Sequence, residues 1–192
     1  MKVLMLNGSP HESGVNDLAL REMEAIFQEN GIETEIVQVG NLAIRGCTAC
    51  GACTKLGKCV YDDIVNELAP KFKEADGLVV SSPVYYASAN ATLIAVLDRL
   101  FYSTCFDKTM KVGASVVSCR RGGASATFDE LNKYTYYDIR HVCNVWNQVV
   151  GERKSHKKVQ LTQEEKGERD RCFNEYRTLS GYLARIEHFA LA

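Results

Sequence analysis

A chain of 192 residues with 46% apolar and 24% charged residues is long enough for one folded unit with a sizeable core, and its net charge of −1 lacks the basic footprint of a nucleic-acid or anionic-membrane binder. No apolar run approaches the roughly 20 residues needed to cross a bilayer. The opening "MKVLMLNGSP" also reaches a polar turn too soon for a signal-peptide core. These features imply a cytoplasmic protein, where thiols stay reduced and clustered cysteines point to metal or redox chemistry before disulfides.

In chain order, "KVLML" (2–6) is a short β-rich run ended by Asn7, Gly8, Ser9 and Pro10. From Val15 to Asn30, Ala19, Met23, Ile26 and Phe27 line one helical face, and Asn30-Gly31 supplies the stop. A second strand spans 32–39. A helix over 62–75 begins at Asp62-Asp63, whose carboxylates suit a helix N-terminus. "GLVVSSP" (77–83) is a third strand, and a helix beginning near Ala89 or Asn90 carries Leu93, Val96, Leu97, Leu100 and Phe101. A fourth strand (111–118) precedes a helix near Ser125–Tyr134, and a fifth strand lies near Val142–Val150. Thr162 and Glu165 form a capping box that opens a long final helix. With no repeat or linker, residues 1–192 read as a single domain. The alternation predicts an α/β fold of flavodoxin-like type: a five-stranded parallel sheet in order 2-1-3-4-5, helices on both faces, and a ligand crevice beyond the strands' carboxyl ends.

Three turns therefore share one location. "NGSPHESGVND" (7–17) offers hydroxyls at Ser9 and Ser13, with Gly14 and Asn16 at a helix start, where backbone N–H groups hold phosphate. Equally, it is the turn and cap that any such junction needs. "SSPVYYASAN" (81–90) presents adjacent tyrosines that suit a planar conjugated ligand, or that roof the core. "SCRRGGASATFD" (118–129) pairs a close-approach Gly122-Gly123 with Arg120-Arg121; an exposed basic turn is the plainer reading.

"NGSP", "SPVYY", "LDRL" (97–100) and "RRGGASATFDELNKY" (120–134) resemble the NAD(P)H-dependent FMN reductase family, and within it the iron–sulfur flavoproteins. The resemblance implies FMN, a homodimer or homotetramer, and electrons from NAD(P)H or a redox-protein donor. By motif, Ser9, His11, Gly14, Val15 and Asn16 would hold the phosphate. Ser82, Pro83, Val84, Tyr85 and Tyr86 would flank the isoalloxazine, and Arg121, Gly122 and Gly123 would close its other side. The family's common Gly-Asn-Thr is here Gly14-Val15-Asn16, so the usual threonine hydroxyl is missing. "NVWNQVVG" (144–151), with Trp146, resembles a segment that lies near the partner's flavin in such dimers.

Cys47, Cys50, Cys53 and Cys59 are four of eight cysteines, in the spacing C-x2-C-x2-C-x5-C with Gly46, Gly51 and Gly57 around them. The spacing resembles the compact motif that holds a 4Fe-4S cluster in the iron–sulfur flavoproteins. Tetrahedral zinc and metal-free thiols near a flavin are the competing readings. The function implied is an FMN-dependent oxidoreductase passing electrons to a small-molecule or protein acceptor, with no catalytic side chain named. A non-enzymatic electron carrier is the alternative.

Overall fold

The computed structural model describes residues 1–148 apart from 110, 121, 139 and 140, with side chains described as far as residue 134. The first strand, β1 (Lys2–Asn7), is apolar at consecutive positions because both of its faces are covered. Val3 and Met5 pack with Leu20, Met23 and Phe27 of α1 (Val15–Glu29), while Leu4 and Leu6 face the opposite layer. The chain turns at Asn30-Gly31, with Gly31 at φ +71°, into β2 (Glu33–Gln38).

Between β2 and α3 (Ile64–Glu74) runs the cysteine-rich stretch, which holds one helical turn that the sequence pattern does not announce, α2 (Cys53–Leu56). It ends where Gly57 turns left-handed at φ +67°. Asp63 caps α3 by accepting the Val65 N–H at 3.1 Å, so the expected helix start holds to within a residue or two. β3 (Gly77–Pro83) lies where expected. Asn90 caps α4 (Ala91–Ser103), whose Leu93, Val96, Leu97 and Leu100 bury against Leu68 and Phe72 of α3 and the sheet. β4 (Val112–Cys119) leads into α5 (Ala124–Asp138), four residues longer at its end than its periodicity suggests.

All strands run parallel in the order β2-β1-β3-β4, with β5 (His141–Gln148) beyond β4. α1 covers one face; α3, α4 and the buried side of α5 cover the other. The flavodoxin-like α/β architecture is thus present. Register places Asn7 beside both Gln38 and Ser81, and Pro83 beside Ser118, so the loops after β1, β3 and β4 leave from one edge. Val149, Val150 and the expected final helix with its capping box lie outside the described residues. Among the described residues, no helix is long and apolar enough to cross a membrane.

Candidate functional site

The loop after β1 is locked to its neighbours mainly through the backbone. The Gly8 N–H donates to the Ser81 carbonyl at 2.7 Å, and the Val39 and Gly40 N–H groups donate to the Asn7 carbonyl at 2.9 and 3.0 Å. There is no room for a side chain in this contact. A Cβ on Gly8 would sit 2.7 Å from the Ser81 oxygen, and one on Gly40 would sit 2.3 Å from Gly8 backbone atoms. Asn90 ties the arrangement together. Its buried amide donates to the carbonyls of Gly8 (2.7 Å) and Gly40 (3.0 Å), and its own N–H donates to Ser82 Oγ at 2.9 Å. The first turn of α1 has no side-chain cap, since its N-cap residue is Gly14. Its leading N–H groups and the positive end of the dipole are therefore offered to an anion. Buried Ser9 uses its oxygen to accept the His11 N–H at 3.1 Å, which leaves the hydroxyl hydrogen free to donate.

The loop after β3 folds back on itself. Tyr85 and Ser88 exchange backbone hydrogen bonds of 2.8 and 3.2 Å around a two-residue turn, with Tyr86 at φ +52° and Ala87 at φ +62°. Such turns favour Gly or Asn, and here a tyrosine and an alanine carry the strained backbone. The tyrosines do not roof the core, because Tyr85 is 46% exposed and Tyr86 is fully exposed. Glu130 of α5 holds the turn from behind, one carboxylate oxygen accepting from Ser88 Oγ (2.7 Å) and the Ala89 N–H (2.8 Å). The loop after β4 meets it directly. Gly123, at φ +93°, lies so close that an added Cβ would be 2.8 Å from Ala87 Cα and 3.0 Å from Val84 Cγ1. Burial raises the pKa of the Cys119 thiol at the head of this loop.

The structure therefore brings the loop of Ser9, His11, Gly14 and Val15 to the same edge as that of Ser82–Tyr86 and that of Gly122-Gly123; Arg121 lies outside the described residues. Asn16 enters only through its backbone. Its side-chain amide turns inward, donating to Ser81 Oγ at 2.7 Å and accepting from Ser118 Oγ at 2.6 Å. Trp146 falls in β5 opposite Val117. Sequence reasoning missed Asn90 as a clamp, Glu130 as a brace, and Gly8 and Gly40 as contact points. Only Asn90 carried a signal, as a helix-capping residue type.

The second constellation lies at the far end of α4. Cys47, Cys50, Cys53 and Cys59 all line one solvent-open concavity, together with Tyr61, Arg99, Tyr102 and Ser103. The loop is wound around Arg99, whose side chain is fully buried. Every N–H of its guanidinium is used. Nη1 and Nη2 grip the Asp63 carboxylate at 2.6 and 2.9 Å, and also reach the carbonyls of Arg45 and Tyr61 at 3.2 and 3.3 Å. Nε reaches Cys59 Sγ at 3.3 Å. Burial works to lower the Arg99 pKa, but the bonds to Asp63 and Cys59 outweigh it and hold the cation above its ordinary range. Ser103, one turn further along α4, is 3% exposed, and its hydroxyl has no partner among the described residues.

Among the described residues, no three His, Cys, Asp or Glu side chains are gathered closely enough to hold a metal ion. A tetrahedral zinc would need its sulfurs drawn around one point. Four thiols lining one concavity are the donor set that an iron–sulfur group takes, and that chemistry is present here.

With this geometry in view, the family model described as NADPH-dependent FMN reductase matches residues 1–151. The chain belongs to that family. Among curated relatives, an iron–sulfur flavoprotein of Methanocaldococcus jannaschii is 35% identical over 137 residues, covering 70% of this chain and 71% of that one. Another, from Methanosarcina thermophila, is 34% identical over 140 residues, covering 71% and 73%. The resemblance carried by the motifs thus holds over most of the chain. Solved structures share the fold at lower identity. The FMN-dependent NADH-azoreductase of Bacillus anthracis, in complex with FMN, has a TM-score of 0.68 at 12% identity, covering 96% of this chain and 100% of that one. A flavodoxin from the Archaea has a TM-score of 0.62 at 12% identity, covering 98% and 100%. As a family member, the chain is an FMN-dependent oxidoreductase in general terms.

Proposed function

We propose that the loops after β1, β3 and β4 hold FMN and that the protein moves electrons from NAD(P)H or a redox-protein donor to a small-molecule or protein acceptor. The observation that carries this reading is the physical contact of the three loops: Gly8 on Ser81, Asn90 across Gly8, Gly40 and Ser82, and Gly123 against Ala87. The uncapped start of α1 and the Ser9 hydroxyl receive the phosphate, which compensates for the missing threonine. His11, exposed on the same turn, adds a polar contact. Val84, Tyr85 and Tyr86 on one side, with Gly122 and Gly123 on the other, flank the ring and exclude water from it. FMN supplies the redox chemistry, and the chain supplies orientation and hydrogen-bond donors around it. The four thiols hold an iron–sulfur group, and the protein acts as a homodimer or homotetramer in the cytoplasm.

The test is steady-state oxidation of NADH and NADPH by FMN-loaded protein, with a quinone or free flavin as acceptor. Turnover supports the reductase. Bound FMN without turnover, but with fast electron exchange with a ferredoxin, would make the protein a carrier instead.

A further inference from the structure

α4 presents two polar groups to the thiol concavity from one face, four residues apart: Arg99, which donates to Cys59 Sγ at 3.3 Å, and Ser103, buried with a hydroxyl that has no partner among the described residues. A buried donor without a partner is costly and rare in a native structure, and it is usually completed by something the site receives. Neither group is itself a thiol ligand, and both line the concavity that the four thiols line.

Resting on the iron–sulfur reading above, we propose that Ser103 is a positioning residue whose O–H donates to a sulfur of the group held by Cys47, Cys50, Cys53 and Cys59. Arg99 fixes the Cys59 corner before that group arrives. Hydrogen bonds to the sulfurs of such a group stabilise its more negative, reduced state and raise its potential. Arg99 spends its four other N–H donors on Asp63 and on the carbonyls of Arg45 and Tyr61, so the Cys59 corner is built without metal. Cys47 and Cys50 stand exposed at the mouth. The site therefore loads against a preset wall and opens at its lip, unlike sites in which the metal drives the folding.

The decisive variant is S103A, in a comparison with wild-type protein reconstituted anaerobically with ferrous iron and sulfide. The metal-free S103A protein should melt at the same temperature as wild type or higher, since an unsatisfied buried hydroxyl has been removed. Its reconstituted form should lose iron to a chelator about tenfold faster and show a lower midpoint potential. In metal-free wild type, iodoacetamide should label Cys47 and Cys50 about tenfold faster than Cys59, and R99K, which keeps charge but loses the planar fork, should erase that difference while retaining FMN. A wild type that takes up no iron and sulfide would sink the iron–sulfur reading, and Ser103's role with it, but not the preset Cys59 corner. A loaded wild type matched by S103A in chelation rate and potential would overturn the role of Ser103 alone. Equal labelling of Cys47 and Cys59 in wild type, a measurement needing no variant, would overturn the preset corner.

Discussion

The two ends of α4 hold their loops by opposite means. At the N-terminal end, Asn90 joins a mesh of backbone contacts in which Gly8 and Gly40 touch main chain and no atom can be added. Nine residues on, about 14 Å along the helix axis, two side chains hold the Cys59 end of the cysteine loop: the Arg99 guanidinium on Sγ, and Asn66, which accepts the Cys59 N–H at 3.0 Å and donates to the Cys59 and Tyr61 carbonyls at 3.1 Å, while Cys47 and Cys50 stand exposed. A site made from main chain survives many side-chain changes but not a crowding one. A site hung on side chains depends on those side chains. The contrast suits a tightly seated organic cofactor at one end and a group that enters through an open mouth at the other.

Changes at the cradle should break that contrast most severely. Gly40→Ala drives a methyl into Gly8 backbone atoms, and it should cost about 3 kcal/mol or more of stability and abolish FMN uptake, as read by denaturant unfolding and flavin content. Asn90→Ala removes the α4 cap and two bonds to loop carbonyls. It should cost about 2 kcal/mol and weaken FMN while leaving the labelling pattern of Cys47, Cys50 and Cys59 unchanged. Loss of both FMN and that pattern would mean the two ends are not separable.

Tyr86→Ala sharpens the comparison further. The ring touches nothing that stabilises the chain, so unfolding should shift by less than about 0.5 kcal/mol, whereas FMN affinity should fall about tenfold, measured by fluorescence quenching.

A smaller effect concerns pH. Burial raises the pKa of Cys119 above its unfolded value of about 8.5, so the folded thiol keeps its proton where the unfolded one has lost it. Stability from this group is complete below the unfolded pKa and is lost as pH climbs toward the folded one. Tyr134, half-buried and bonded to Asp98, shifts upward too and acts in the same sense at higher pH. Denaturation between pH 7.5 and 10 should show falling stability, with a shallower fall in Cys119→Ala.

Much of this was legible in the sequence. Strand and helix periods gave the layers, and turn residues after the first, third and fourth strands marked the loops that meet at one edge of the sheet. What escaped depends on contacts between distant segments. Nothing local shows that Gly40 will touch Gly8, or that Glu130 will brace a turn more than forty residues earlier. Tyr86 and Ala87 gave no cue to left-handed backbone, because neither residue type favours it. Arg99 did leave a trace, as a charge inside the apolar helix run from Leu93 to Phe101. Its purpose appeared only when the cysteine loop was seen folded around it.

The most direct measurement is a titration of flavin-free protein with FMN, followed by flavin fluorescence and repeated with riboflavin. Saturation at one FMN per chain, with riboflavin much weaker, is expected from a cradle that grips phosphate at α1 and the ring between Tyr86 and Gly123. No saturable uptake, or equal binding of riboflavin, would show that these loops do not form that cradle.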